Sequence, residues 1–385
     1  MPHTGMTVIP ETVFDCSFLD GGVESNLGEL PEQDGMAFQG MIARGAFDHP
    51  SDFVDRVPKS EQHLLFAYLN NRDVQQQPAP DARRVIVDVY DELVAAGLES
   101  AEPAQQEAWL KSKLPFLYEQ LRRDVFSWRL ELPDSQRNRK ARTRPWLFEE
   151  VRPGLRRAWL GLTTVVGIGT VGKVLKPTLV PLLDRRSGLR VAPTNNLFLV
   201  PTESHAVLGL LNSLVFEAIA RRFCGTLESR LSFSPMAVFP YFPFPWKGEP
   251  TGNEYVAPVL NPPSDVEQRL GPIANTLLKL REETMLSHGF CGPTALYNAF
   301  DDPGDKRPAI QALREAHMAL ETAVLAEYGW SDLAGPERWV FDRPWIDGTW
   351  RFVPNAETRR EYLRRLERLN HEQAAQASIS TPAVI

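Results

Sequence analysis

Residues 195–246 read NNLFLVPTESHAVLGLLNSLVFEAIARRFCGTLESRLSFSPMAVFPYFPFPW, and the changes of pattern inside this stretch decide the fold. It opens on four apolar residues, Leu197 to Val200, closed by Pro201; so brief a run is a buried strand rather than a helix. A helix is expected next. Thr202 can cap it, and Leu208, Leu211, Val215, Ile219 and Phe223 recur at three- and four-residue steps, with Arg221 and Arg222 near its C-terminal end. From Pro235 to Trp246 prolines and aromatics crowd together. Each proline lacks a donor and restricts the residue before it, so this run is neither helix interior nor central strand. It must lie extended over a surface as a hydrophobic strap.

Working outward, residues 163–201 have the pattern of a meander of short strands (TTVVGIG, VLKPTLVPLL, LRVAP, NNLFLVP), with a turn at Arg185 to Gly188. Upstream, residues 8–60 are punctuated by glycine and proline and predict short strands and loops, with a little helix at Ser51 to Arg56. RVIVDV at 84–89 is a strand by its β-branched content. Residues 103–130 are helical in pattern, with a break or fresh start at Pro115. The Asn70-Asn71 pair can tolerate a left-handed turn nearly as Asn-Gly would. Downstream of a Gly/Pro/Asn-rich linker come helices at 266–283 and 310–328, a Trp-rich hairpin over 339–353, and a last helix through Glu361 to His371. These patterns predict an α+β fold: a mixed or antiparallel sheet domain with packed helices over 1–250, a linker at 251–264, and a helical C-terminal domain over 265–385.

The chain has 385 residues, 43% apolar and 24% charged, ordinary values for a globular protein large enough for two domains. Cys16, Cys224 and Cys291 are far apart, which implies neither a zinc ribbon nor a disulfide framework. No run of eighteen apolar residues and no secretory pattern occurs, so a cytoplasmic location and no membrane span are expected. The net charge of −7 argues against indiscriminate nucleic-acid coating, yet it is unevenly spread. Residues 137–190 hold thirteen Lys and Arg against three acids, a balance of +10, leaving −17 elsewhere.

Several motifs compete for a chemical reading. Gly167, Gly169, Gly172 and Lys173 spell both GxGxxG and GxxxxGK, but phosphate cradles of either type open directly into a helix. Here Val174 to Pro181 has two prolines and β-branched residues, and Val174 stands where Mg²⁺ coordination needs Ser or Thr. Asn261-Pro262-Pro263-Ser264 approaches the NPPY motif of amino-methyltransferases but lacks the aromatic that stacks on an extruded base; Ser264 with Glu267 instead predicts a capping box. His317 and His371 have no partner at ligand spacing and are expected to be packed or surface residues rather than metal ligands.

The order of segments carries a resemblance. AFQGMIARGAF at 37–47, LLFAYLNNRD with RVIVDV, and SQRNRKARTRPWLFEEVRPGLRRAWLGL at 135–162 resemble the opening, YLNG and NRxxR…RPxL segments of a known family. GTVGK, SFSPM, TALYNAFDDP, LREAHMALETAVLAEYGW and LNHE follow in that family's order. The family is the target-recognition region of type IIL/IIG restriction-modification enzymes and of related adenine methyltransferases in phage-defence systems such as BREX and DISARM. Two family arginines are absent: Gly169 and Ser232 stand at those places.

What the resemblance implies is duplex DNA binding, with phosphate contacts from Arg137, Arg139, Lys140, Arg142, Arg144, Arg156, Arg157, Lys173, Lys176, Arg185 and Arg186. The plain alternative for the basic run is a solvated face. No FxGxG cofactor loop, NPPY motif or nuclease motif occurs, so the expectation is a non-catalytic specificity subunit with no cofactor of its own. It would direct a separate methyltransferase or other defence subunit that holds S-adenosylmethionine, with the helical tail docking that partner. A defence-complex adaptor without DNA contact, and a nucleotide site at GIGTVGK, are the alternatives.

Overall fold

In the computed structural model the described residues are 27–30, 35–228, 230–344 and 348–380. The early strands are short, as the turn-rich sequence requires: β1 (Phe38–Gln39), β2 (Asp48–Pro50), β3 (Leu65–Leu69) and β4 (Arg84–Val87). The meander supplies β5 (Thr164–Gly169), β6 (Val171–Gly172), β7 (Thr178–Pro181), β8 (Val191–Pro193) and β9 (Leu197–Val200). One sheet runs β1-β9-β5-β7 with antiparallel neighbours, Val166 lying opposite Val200 and Ile168 opposite Phe198. A second runs β2-β4-β3-β8 and is mixed, because β3 and β8 are parallel. β6 leaves the first sheet to pair with the hairpin of β10 (Gly225–Leu227) and β11 (Arg230–Ser232). Farther on, β12 (Trp339–Asp342) and β13 (Arg351–Pro354) form the expected Trp-rich hairpin. The fold is α+β.

Upstream helices are short: α1 (Asn71–Gln75), α2 (Tyr90–Ala95), α3 (Pro103–Lys113), α4 (Pro115–Leu121), α5 (Ser127–Leu130), α6 (Arg139–Thr143) and α7 (Pro153–Ala158). Pro115 does begin a new helix. The Asn70-Asn71 pair is not a left-handed turn: Asn70, at φ −119°, caps α1 in a reciprocal box with Asp73. The single helix expected after Pro201 is two, α8 (His205–Asn212) and α9 (Leu214–Phe223), broken at Ser213. Ser213 adopts ψ 158° and its hydroxyl accepts from the Phe216 amide at 3.2 Å, so it caps α9. The apolar periodicity survives the break because both helices press on the same core. Ser204, not Thr202, caps α8; the Thr202 hydroxyl accepts from the Ser204 amide and donates to the Leu260 carbonyl.

The strap is packed as the sequence predicts but is not extended throughout. Pro235 opens a one-turn helix, α10 (Pro235–Val238), and a 3₁₀ turn covers Phe239–Tyr241. Beyond it the ring centroids of Phe242 and Phe244 lie 5.2 Å apart and those of Phe244 and Trp246 5.7 Å, both edge-on, and Phe242 meets Phe216 of α9 at 5.1 Å.

The boundary expected at 251–264 does not separate two cores. After it come α11 (Ser264–Ser287), α12 (Pro293–Asp301), α13 (Pro308–Glu327) and α14 (Ala356–Ser380). Their apolar faces enter the same core as Val166, Leu208 and Phe216, which extends from Met36 to Leu366. α8 and α11 approach so closely that a Cβ on Gly209 would stand 3.0 Å from that of Ala274 and 3.2 Å from Leu320 Cδ1. The supposed capping box also belongs to this contact. Glu267 makes no described bond to Ser264 and accepts from the Ser204 hydroxyl and the His205 and Ala206 amides, completing the cap of α8. The linker is pinned as well: Trp246 Nε1 donates to the Val259 carbonyl, and Asn253 Nδ2 to that of Arg157. A division into cores falls earlier in the chain, where Phe47, Ile86, Leu117, Val125, Trp146 and Phe148 gather around the mixed sheet and α3–α5.

Candidate nucleic-acid interface

The basic segment enters the fold through α6 and α7, and a residue outside it holds that segment in place. Arg129, at the end of α5, is fully buried; its guanidinium donates to the carbonyls of Ala43, Arg44, Pro145 and Leu147 and lies 4.6 Å from the Phe47 ring centroid. No described carboxylate pairs with it, and burial pushes its pKa down to about 10. Arg129 thus ties the 43–44 segment to Pro145–Leu147. Asn138 adds a second tie, accepting from Arg44 and donating to the Pro133 carbonyl.

From this anchor the candidate cations divide. Arg137, Arg139 and Lys140 are exposed as residues, and Lys140 Nζ donates to the Glu149 carbonyl at 2.7 Å; partial desolvation of this ammonium lowers its pKa. Arg142 pairs with Asp134 at 2.9 Å, and Arg144 is bound to Gln106 and the Ala101 carbonyl. Arg157 is exposed and donates to the Tyr255 hydroxyl at 2.7 Å.

Two members of the predicted contact set are internal. Arg156 is 7% exposed, between Asp88 and Asp91, with the Val151 carbonyl as a further acceptor at 2.8 Å. Burial works against its charge, but the two carboxylates outweigh it and hold its pKa above the ordinary value. Lys176 is 8% exposed, 3.7 Å from Glu217 and 4.9 Å from the centre of the Tyr297 ring; burial lowers its pKa against the pull of Glu217. Both guanidinium and ammonium groups point into the chain, which removes Arg156 and Lys176 from the set that presents charge to solvent.

The structure brings together two segments far apart in sequence. β6 pairs with β11, placing Gly172 opposite Leu231 and Val171 opposite Ser232, and the Phe233 amide donates to the Thr170 carbonyl at 2.8 Å. Of the two places where the family resemblance has an arginine, Ser232 lies opposite Val171 of β6, and Gly169 ends β5 two residues before Val171. Lys173 is exposed beside this sheet, and Arg230 at the start of β11 pairs with Glu228. Asn71 buttresses it: its Nδ2 donates to the Val171 carbonyl at 3.1 Å, and a Cβ on Gly169 would stand 2.2 Å from its Oδ1. No phosphate-cradling helix follows Gly172; Val174–Pro177 leads to β7 instead.

The remaining cations sit on a built turn. Buried Asp184 accepts from the Ala82 amide and from the amide and hydroxyl of Ser187, while Gly188 takes φ +69°. This turn projects Arg185 and Arg186, both exposed, with Arg185 3.5 Å from Glu282. Counted by sequence, Asp184 opposes the basic run; in the fold it shapes the loop that carries it. Sequence reasoning missed Arg230 beside this surface and Arg129, Asn71 and Asp184 as the side chains that support it.

His317 is buried, 2.7 Å from the Tyr297 hydroxyl, and burial holds its pKa well below the ordinary value. Among the described residues no group of three or more His, Cys, Asp or Glu is placed to hold a metal ion, and no helix is long and apolar enough to cross a membrane.

The class defined by these features is an α+β chain whose described residues bury three apolar clusters, with cations grouped on α6, the β6–β11 sheet and the 184–188 turn. No protein-family model matches it, and no curated protein matches it significantly. Among solved structures it is similar to the type IIL restriction-modification enzyme MmeI in complex with DNA, with a TM-score of 0.54 at 16% identity. The match covers 90% of this chain and 36% of that one, so the chain spans about a third of the length of the enzyme it resembles. The likeness is one of fold.

Proposed function

We propose that this chain is a target-recognition subunit that binds duplex DNA and directs a separate catalytic protein. The observation that carries this reading is the pairing of β6 with β11, which brings exposed Lys173, the residue after β6, to the strand that Arg230 begins. Arg137, Arg139 and Lys140 on one side, and Arg185 and Arg186 on another, supply cations for phosphates, which fix register without reading sequence. Base edges are read from the tips of the β5–β6 and β10–β11 turns. Chemistry belongs to the partner: a methyltransferase that holds S-adenosylmethionine extrudes the base. The fold likeness to part of a DNA-bound restriction-modification enzyme supports this reading.

The experiment is selection of duplexes from a random pool by the purified chain at several salt concentrations, with sequencing of the bound fraction. An enriched short motif whose affinity falls with salt is expected. Absence of binding at every salt, with and without the co-purified partner, would instead favour an adaptor that has lost DNA contact, a reading to which Gly169, Ser232 and the net charge of −7 lend support.

A further inference from the structure

An open cleft of about 650 Å³ lies where the end of α7, the β9–α8 turn and the 249–262 segment meet. None of the cations proposed for DNA lines it. Its charged lining residues are Glu203, Glu249 and Glu267, with no Lys, Arg or His among them. Its apolar lining includes Leu162 and Leu160, and Leu160 is 71% exposed. This is an unusual place for a bare leucine, since its neighbour Ala158 is buried and the turn that carries it is fixed by bonds from Asn253 to the Arg157 and Ala158 carbonyls.

The carboxylates differ in availability. Glu267 is consumed by the cap of α8. Glu203 accepts the Thr163 amide and hydroxyl and the Thr164 amide through Oε1 alone; the Thr163 hydroxyl first, then these amides, hold its pKa below the usual range. Its other oxygen makes no described hydrogen bond. Glu249 is exposed, and the bonds described for it use its backbone. The cleft therefore offers one carboxylate held in place, Glu203, and one exposed carboxylate, Glu249, for a cation beside a fixed aliphatic surface.

We propose that this cleft docks a basic segment of a second protein, with an aliphatic or aromatic side chain seated on Leu160 and Leu162 and a Lys or Arg between Glu203 and Glu249. Charge complementarity selects the occupant. Nucleic acid is repelled by three carboxylates. The chain's own residues 1–26 have the wrong sign, carrying Glu11, Asp15, Asp20 and Glu24 and no Lys or Arg. The proposal concerns docking alone and holds whether or not the chain binds DNA.

The test is selection of binders from a displayed library of random twelve-residue peptides against the full chain, followed by titration of the synthesised consensus. Enriched peptides carry Lys or Arg next to Leu, Ile or Phe, and their affinity falls with salt. Leu160→Asp and Glu249→Lys each weaken binding about tenfold, while circular dichroism and the thermal midpoint stay unchanged. Glu203→Gln, which keeps an acceptor for Thr163, weakens binding less. The proposal is overturned by no enrichment, by peptides lacking basic residues, or by basic peptides whose affinity is indifferent to both Leu160→Asp and Glu249→Lys. It is also overturned if sedimentation shows that the chain self-associates and that the same two substitutions abolish it, because the occupant is then a second copy.

Discussion

Arg156 and its neighbours on the basic segment make opposite predictions although they share a charge. Replacing Arg156 with Met removes its bonds to Asp88, Asp91 and the Val151 carbonyl and leaves Asp88, 4% exposed, as a buried carboxylate without its cation. Breaking such a pair costs about 3–5 kcal/mol. With a urea slope of roughly 3 kcal/mol/M for a large core, the unfolding midpoint should fall by about 1–1.7 M. Asp88→Asn in the same chain should restore part of the loss, since no charge is then stranded. DNA affinity measured well below the midpoint should keep its salt dependence. Arg137→Ala, Arg139→Ala and Lys140→Ala together should do the reverse. They should cost no more than about 1 kcal/mol of stability, and the slope of log K against log salt should become shallower by about 2.7, three phosphate contacts at 0.9 each. The assay is urea unfolding by fluorescence alongside DNA titration at four or more salt concentrations. If Arg156→Met alone flattens the slope by about one while the urea midpoint stays put, its guanidinium faces DNA and the burial argument fails.

Arg129→Met should lower stability by about 3–5 kcal/mol by orphaning four carbonyls, and hydrogen exchange should rise first at residues 43–47 and 145–148. Gly40→Ala should destabilise by roughly 2 kcal/mol or more, because its Cβ would stand 2.1 Å from the Thr194 carbonyl oxygen, a backbone atom that cannot rotate away; an unchanged thermal midpoint would refute the close approach. Glu321 is buried with a pKa raised to about 7 by burial, from an ordinary 4.5. The native state thus holds a proton that the unfolded chain releases, so this group's contribution is full below about pH 4.5 and is lost as pH rises through 7, on the order of 3 kcal/mol. Glu321→Gln, which keeps an acceptor for the Leu214 amide, should flatten that fall; an unaltered stability profile between pH 4.5 and 7 would count against it.

Much of the fold was legible because local rules and tertiary packing agree. Leu197–Val200 is a strand stopped by Pro201, Pro115 restarts a helix, and the proline-aromatic run buries Phe242 and Phe244. Ser213 was not legible as a break, because the apolar spacing from Leu208 to Phe223 continues across it; the capping serine competes with helix locally while both halves keep the same buried face. Glu267 sits at the right distance from Ser264 for a box, and only the approach of α8 supplies the donors it takes instead. Site residues failed for the same reason. Arg156 and Arg157 are adjacent and alike, but successive helical positions point about 100° apart, and the carboxylate that buries Arg156 lies 68 residues upstream. Nothing in the spacing of the basic run records that partner. Gly40 within FQG was visible as a motif, while its cause, the Thr194 carbonyl pressed against it, needed the fold.

The shared core limits how such a protein can change. α8 borrows its cap from α11 and its packing from Ala274 and Leu320, and the mixed sheet borrows β8 from the meander. A recombination joint near residue 250 would bring together helices that have never fitted one another, and one near residue 163 would part β3 from its parallel neighbour. Wholesale exchange between relatives is thus closed along most of the chain. New preferences are left to single substitutions at exposed tips such as Lys173 and Arg186, where a changed side chain disturbs no packing.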